Sequence, residues 1–171
     1  EWKVLIKMDI AKIDKNFKIE TEINEEDIRF IYARVEPFKI YGVYYDSGYF
    51  RRMPEEVAKS VSEGVYGLHF QSAGGRLRFK TDSPYVALHS VMSYVGKMSH
   101  FALVGSAGFD LYVFDEDLGE DKYFGTFKPP FEIENGFDGE VKFGSSKMRE
   151  ITINFPLYST VQELYIGLSD S

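Results

Sequence analysis

The chain has 171 residues, with 27 acidic against 20 basic side chains and a formal net charge of -7, and it contains no cysteine. The missing cysteine excludes disulfide frameworks, thiolate metal sites and cysteine nucleophiles. The acidic charge provides no basic field, so nucleic acids and anionic membranes are not expected as partners, because phosphate binding needs clustered Lys and Arg. Aromatic side chains make up 16% of the residues, a share that suits either a thick β core or a platform for sugar binding.

Most of the predicted elements are strands, because apolar and polar residues alternate with a period of two. In chain order, the predicted strands cover residues 3–10, 17–23, 28–35, 39–45, 76–80, 85–91, 109–114, 140–143, 151–155 and 163–168. Turn-forming residues separate several of them, at 74–75, 81–84, 105–108, 135–136 and 138–139. Many short strands at this spacing predict an all-β fold, an antiparallel jelly-roll β-sandwich.

One short helix is predicted at residues 54–61. Pro54, Glu55 and Glu56 stand at its start, where the free N–H groups favour proline and acidic residues, and Gly64 follows its end. No repeat or linker divides the sequence, so we expect a single β-sandwich domain over residues 1–171. The first residues do not resemble a signal peptide, and no apolar run reaches the roughly 20 residues that span a bilayer.

The sequence offers little hydrolase chemistry. There are three histidines, none has an aspartate three residues before it, and no G-x-S-x-G or Gly-Asp-Ser motif is present. An esterase that uses Ser106 or Ser83 as its nucleophile is therefore the least favoured hypothesis. We predict no catalytic residue and no cofactor for this chain.

The acidic segment DEDLGED at residues 115–121 is the strongest candidate for a metal site. Its carboxylates are the oxygen ligands that Ca²⁺ prefers, and Asp115, Asp117 and Asp121 would be the ligands. The spacing departs from that of an EF-hand loop. A solvated loop without metal is the favoured interpretation.

An aromatic group beside two arginines is the best candidate for ligand binding. Tyr44, Tyr45, Tyr49 and Phe50 precede the pair RR at residues 51–52. Flat rings with neighbouring donors suit sugar rings or cation–π contacts. The alternative interpretation is that these side chains fill the core and pair across strands.

Several blocks of sequence together resemble one family. They are RMP at residues 52–54, SAGGRLRFKTDS at 72–83, MSH at 98–100, GFDLYV at 108–113 and ITINFPLY at 151–158. The combination resembles the N-terminal domain that precedes the catalytic SGNH (GDSL-like) hydrolase domain in many bacterial esterases. The match covers about residues 40–168, and residues 1–35 carry no recognised block.

The resemblance implies a jelly-roll domain that accompanies a hydrolase, with the catalytic motifs in a following domain that this chain lacks. We expect a non-catalytic accessory domain that packs on its own C-terminal SGNH domain and contributes to the binding of a carbohydrate ester. The alternative is a free-standing carbohydrate-binding β-sandwich. The expected ligand or interface residues are Arg52, His100, Asp110, Tyr112, Tyr44, Tyr45, Tyr49 and Phe50. Asp110 alternates with apolar neighbours, so we also expect it to pair with Arg52, Arg76 or Arg78.

Overall fold

The computed structural model describes residues 19–170, which form eleven strands and three short helices. The strands are β1 (Ile28–Tyr32), β2 (Lys39–Tyr41), β3 (Tyr44–Asp46), β4 (Tyr49–Arg51), β5 (Arg76–Thr81), β6 (Tyr85–Tyr94), β7 (Phe109–Asp115), β8 (Glu120–Phe127), β9 (Gly136–Lys142), β10 (Arg149–Asn154) and β11 (Thr160–Ser169). The helices are α1 (Glu55–Val61), α2 (Glu63–Leu68) and α3 (Leu103–Ala107). The predicted strand at 3–10 lies outside the described residues, as does the start of the one at 17–23, whose described part is not a strand.

Two antiparallel sheets make up most of this fold. The four-stranded sheet has the order β1-β11-β6-β9, the five-stranded sheet has the order β2-β5-β10-β7-β8, and β3 and β4 form a separate hairpin. The observed fold confirms the all-β antiparallel sandwich, while the jelly-roll connectivity remains a prediction. No helix among residues 19–170 is long and apolar enough to cross a membrane.

The core lies between the two sheets and follows the two-residue period of the strands. In β7, Phe109 and Leu111 are fully buried, and β11 on the opposite sheet contributes Leu164 and Ile166. The Phe109 ring packs at 5.7 Å from that of Phe155 in an edge-to-face arrangement. Much of the aromatic share therefore fills the core.

The described residues form three helices, whereas one was predicted. The expected helix at 54–61 is confirmed as α1, but α2 follows at once, because the Ser62 side chain accepts the backbone N–H of Val65 at 3.2 Å and caps a new helix. Residues 105–108, predicted as a turn, belong largely to α3. There the buried Ser106 hydroxyl donates to the carbonyl of Gly96 at 2.6 Å and fixes the short helix.

Four strand assignments also differ from the prediction. The predicted strand at 39–45 is broken into β2 and β3 at Gly42, where φ is +75° and a Cβ would lie 2.0 Å from the Gly74 carbonyl oxygen. The predicted turn at 138–139 lies inside β9, where Gly139 leaves room for the Phe127 side chain. The short β4 and the charged β8 were not predicted as strands.

The first prediction concerns the core. Leu111→Ala should lower the free energy of unfolding by about 2–5 kcal/mol, because it removes buried methyl groups and leaves a cavity. Leu118→Ala is the matched control, since Leu118 is 59% exposed and its truncation should cost less than about 0.5 kcal/mol. Urea unfolding of both variants measures the difference. Equal costs at the two positions would contradict the proposed core.

Candidate functional site

The outer face of the five-stranded sheet carries a layer of polar and aromatic side chains, which we call the motif face. Its members alternate with core residues on β5, β7, β8 and β10, and in the strand register Thr152 pairs with both Arg78 and Tyr112, while Tyr112 pairs with Tyr123. The motif face comprises Arg78, Asp110, Tyr112, Asp121, Tyr123, Thr126 and Thr152. The residues Asp110 and Tyr112 of the GFDLYV block thus both lie on it.

Asp121 joins three strands of the motif face. Its Oδ2 accepts from the guanidinium of Arg78 at 2.9 Å and from the hydroxyl of Thr152 at 3.1 Å. β8 and β5 are three strand spacings apart in the sheet, about 14 Å when flat, and these side chains bridge the strands between them. Thr152 is only 3% exposed, although it points away from the core.

Asp110 is held by hydroxyl groups and not by an arginine. The Thr126 hydroxyl donates to its Oδ1 at 2.7 Å. Because the Thr126 hydroxyl proton is donated to Asp110, Thr126 Oγ1 can only accept from the Tyr123 hydroxyl, which lies 2.9 Å away. The expected pair between Asp110 and Arg52, Arg76 or Arg78 is therefore wrong for the described residues. Arg78 pairs with Asp121, Arg52 donates to a backbone carbonyl, and Arg76 makes no ion pair with Asp110.

The acidic segment 115–121 does not form a metal site in the described residues. Asp115 accepts the backbone N–H groups of Asp117 and Leu118 and faces Lys122 at 2.7 Å, and the hydrogen bond from Lys122 lowers the pKa of Asp115. Asp121 is bound to Arg78. Within residues 19–170, no three His, Asp or Glu side chains are placed to share an ion. The segment acts as the connection between β7 and β8.

The aromatic group predicted for ligand binding is divided by the fold. Phe50 is fully buried and packs against Tyr45 and Phe155, so it belongs to the core. The ring of Tyr45 is covered by the guanidinium of Arg34 at 3.6 Å. Tyr44 is half-buried, and burial raises its pKa. Tyr44 and Tyr45 line a cleft of about 260 Å³, and Tyr49 opens onto a larger one.

That cleft, which we call the end cleft, lies where α2 meets the ends of β6 and β11. It has a volume of about 440 Å³ and is lined by Tyr49, Gly67, Phe70, Gln71, Ser93, Tyr94 and Thr160. Tyr94 is 52% exposed at its rim. The volume falls within the roughly 300–1,000 Å³ of small-molecule sites.

A buried arginine supports the wall of the end cleft. Arg51 is 3% exposed, and its guanidinium donates to Glu55 at 2.9 Å and lies 4.8 Å from the Phe70 ring. His69 is fully buried, and its Nδ1 donates to the carbonyl of Tyr66, so its Nε2 accepts from Arg51 at 3.1 Å. These contacts satisfy the buried charge and fix Phe70 in place.

The remaining predicted residues lie near the same end of the molecule. Arg52, the arginine of the RMP block, donates its backbone N–H to the carbonyl of His69 and its guanidinium to that of Leu68. His100 is exposed on the loop between β6 and α3, beside Phe101, whose ring contacts Tyr158 at 5.1 Å. The structure therefore separates Arg52, His100 and Tyr49 at this end from Asp110 and Tyr112 on the motif face.

The two serines considered as nucleophiles are both structural. Ser106 and Ser83 are 0% and 4% exposed. Their hydroxyls donate to the carbonyls of Gly96 and Tyr85, at 2.6 Å in each case. In the described part of the chain neither hydroxyl bonds a histidine, so no serine–histidine pair is assembled.

The fold and these surfaces define an antiparallel β-sandwich with two candidate binding surfaces and, within residues 19–170, no assembled hydrolase triad. Residues 28–171 match the family described as "GxDLY: N-terminus of Esterase_SGNH_hydro-type". The chain therefore belongs to this family of N-terminal domains of SGNH-type esterases. The match begins at residue 28 and so extends the resemblance seen in the sequence toward the N-terminus.

Two solved structures share the fold. A protein from Bacteroides ovatus described as a GDSL-like lipase has a TM-score of 0.73 at 22% identity, over 84% of this chain and 41% of its own. The salicylyl-acyltransferase SsfX3 from a tetracycline biosynthetic pathway has a TM-score of 0.59 at 18% identity, over 85% of this chain and 40% of its own. The chain thus spans about two fifths of each. A comparison with curated protein sequences finds no significant match.

Sequence reasoning missed the residues that build the end cleft. The RMP block drew attention to Arg52, yet the fold buries Arg51, which shares one side of β4 with Tyr49 and stands four residues before Glu55. The four-residue spacing of Arg51 and Glu55 was the sequence signal that could have indicated this ion pair. No sequence signal pointed to Phe70 and Tyr94, because they come together only in the folded chain, where both line the end cleft.

The second prediction tests the network of the motif face. A double-mutant cycle of Arg78→Ala and Asp121→Ala should give a coupling energy of up to about 1 kcal/mol, the range for partly exposed ion pairs. The control pair is Lys80 and Glu150, which are 3.3 Å apart on the same sheet but more exposed, and its coupling should be smaller. A larger coupling for the control pair, or for Arg78 with Asp110, would contradict the assigned network.

The third prediction concerns acid sensitivity near the end cleft. Hydrogen bonds from Lys59, the larger effect, and from Arg51 lower the pKa of Glu55 from 4.5 to about 2. Because folding favours the ionised form, this contribution to stability is present above pH 4.5 and is lost as the pH falls toward 2. Glu55→Gln should therefore reduce the loss of stability between neutral pH and about pH 3 in urea unfolding. Glu56→Gln, at a more exposed position, is the control and should retain the wild-type pH dependence.

Proposed function

We propose that the chain is the non-catalytic accessory domain of an SGNH-type esterase and that it packs on the catalytic domain through the motif face. The observation that carries the proposal is the orientation of the GFDLYV block. Phe109 and Leu111 are explained by the core, whereas Asp110 and Tyr112 point outward and do no core packing. The Asp110 side chain is held by its hydrogen bond from Thr126 and the Tyr112 ring by its contact with Tyr123. Side chains fixed in this way are suited to recognition of a partner surface, because little order is lost on binding.

The solvent exposure of the outer faces of the two sheets supports this choice of surface. On the four-stranded sheet, Ala87 and Tyr165 point away from the core yet are 0% and 6% exposed, and the backbone of Glu22 crosses to Asp138. That face is largely covered. The motif face leaves Arg78 and Tyr123 43% and 59% exposed, so it is the sheet face open to a partner.

The path of the chain also supports this surface. The backbone N–H of Ser169 donates to Ser83 Oγ, and Ser83 lies two residues after the end of β5, which pairs with the start of β10. The last described residue, Asp170, thus lies at the same end of the sandwich as the edge of the motif face. A catalytic domain attached after it, in the order that the family description gives, is within reach of this face.

A free-standing carbohydrate-binding module is the second candidate function, and the end cleft is the observation that favours it. In that case the motif face would have no partner domain. In the accessory case, a contribution to carbohydrate-ester binding would also fall to the end cleft, because the motif face would be covered. The occupancy of the motif face therefore separates the two functions.

The fourth prediction tests this docking. In a longer protein that carries this chain and its SGNH domain, hydrogen exchange in β7 and β8 should be slower than in the 171-residue chain alone, because the docked domain excludes water. Tyr112→Ala should abolish most of that protection, since truncation of a central interface tyrosine costs about 2 kcal/mol or more. Tyr94→Ala, in the end cleft, is the control and should leave the protection unchanged. Equal exchange in the long and short proteins would exclude docking through this face.

A further inference from the structure

The end cleft combines aromatic rings with uncharged polar groups. Tyr49, Phe70 and Tyr94 supply the rings, and Gln71 and Thr160 supply an amide and a hydroxyl. None of the seven lining residues carries a charge. A charged ligand would lose its hydration here without gaining a counter-ion, so the lining selects a neutral ligand.

The polar groups of the end cleft are open to a ligand. Within residues 19–170, the side chains of Gln71, Ser93 and Thr160 make no hydrogen bond to the protein, although Thr160 is only 5% exposed. A ligand with several hydroxyl groups can both donate to and accept from them. A purely apolar ligand would leave them unpaired at a cost.

The aromatic wall is held in place before any ligand arrives. The Tyr49 and Phe70 rings meet edge to face at 5.8 Å, and the Arg51 guanidinium lies 5.7 Å and 4.8 Å from their centres. Arg51 is itself fixed by Glu55 and His69. A rigid ring wall reduces the ordering cost of binding.

We infer that the end cleft binds a neutral sugar ring. The C–H groups of a sugar form an apolar face that packs on aromatic rings, while its hydroxyl groups meet the amide and hydroxyls of the cleft. The site differs from the platform that the sequence predicted at residues 41–50, of which only Tyr49 takes part. It goes beyond the proposed docking and does not depend on it, because the end cleft lies off the motif face.

The length of the sandwich sets a limit on what such a ligand can do. β11 begins at Thr160 in the end cleft and ends at Ser169 beside the last described residue, a span of about 30 Å at 3.3 Å per residue. A small ester held in the end cleft would therefore lie far from the last described residue, Asp170. A longer glycan can place one sugar unit in the end cleft and extend along the sandwich, and the end cleft is best suited to that role.

The test is to titrate the 171-residue chain with neutral sugars and to monitor binding by NMR chemical shifts. The isolated chain is suitable because its core is closed within the described residues. The panel contains glucose, galactose, mannose, xylose and N-acetylglucosamine with their short oligomers, and glucuronic acid and glucose 6-phosphate serve as charged counterparts. At least one neutral sugar should shift the signals of Gly67, Gln71 and Thr160. Tyr94→Ala and Gln71→Ala should each weaken its binding by about tenfold or more, which corresponds to about 1.4 kcal/mol.

Tyr41→Ala is the matched control, because Tyr41 is 47% exposed outside the end cleft, and it should leave the affinity unchanged. Thermal unfolding of each variant checks that the fold is kept; Gln71→Ala, which removes no ring, decides the matter if Tyr94→Ala unfolds. No shift with any neutral sugar, shifts confined to other surfaces, or tighter binding of the charged sugars would overturn the inference. Because the titration uses the chain alone, its outcome is independent of the docking experiment.

Discussion

The packing of one face of the five-stranded sheet against the four-stranded sheet determines the rest of the molecule. Side chains on a strand alternate between two faces, so a strand with one buried side must present its other residues outward. In β7 the burial of Phe109 and Leu111 therefore forces Asp110 and Tyr112 to the surface. One hydrophobic constraint thus both stabilises the sandwich and positions the motif face.

A second, electrostatic constraint acts at the end of the molecule. The guanidinium of Arg51 is almost fully buried and so needs partners that offset its lost hydration, which Glu55, His69 and the carbonyl of Asp46 supply. Satisfying one guanidinium in this way ties β4 to α1 and to the end of α2. The same contacts position the wall of the end cleft, because Phe70 directly follows His69 and its ring lies against the Arg51 guanidinium.

The sequence predicted those parts of the fold that depend on local pattern. The alternation in residues 76–80 and 109–114 was enough to locate β5 and β7, and proline with two acidic residues located α1. β8 was not predicted because its charged residues are not typical of a strand. In the folded chain, Asp121 of β8 is bound by Arg78 and Thr152 from two other strands. Contacts of this kind depend on tertiary register, which no local pattern contains.

The same distinction explains which site residues could be predicted. Asp110 and Tyr112 were found because a family block contains them, although Arg78, one of the three arginines expected as a partner of Asp110, pairs with Asp121 instead. The end cleft is assembled from segments around residues 49, 70, 94 and 160, which share no motif. A surface set by one strand can be inferred from sequence, whereas a cleft built from four segments becomes visible only in the folded chain.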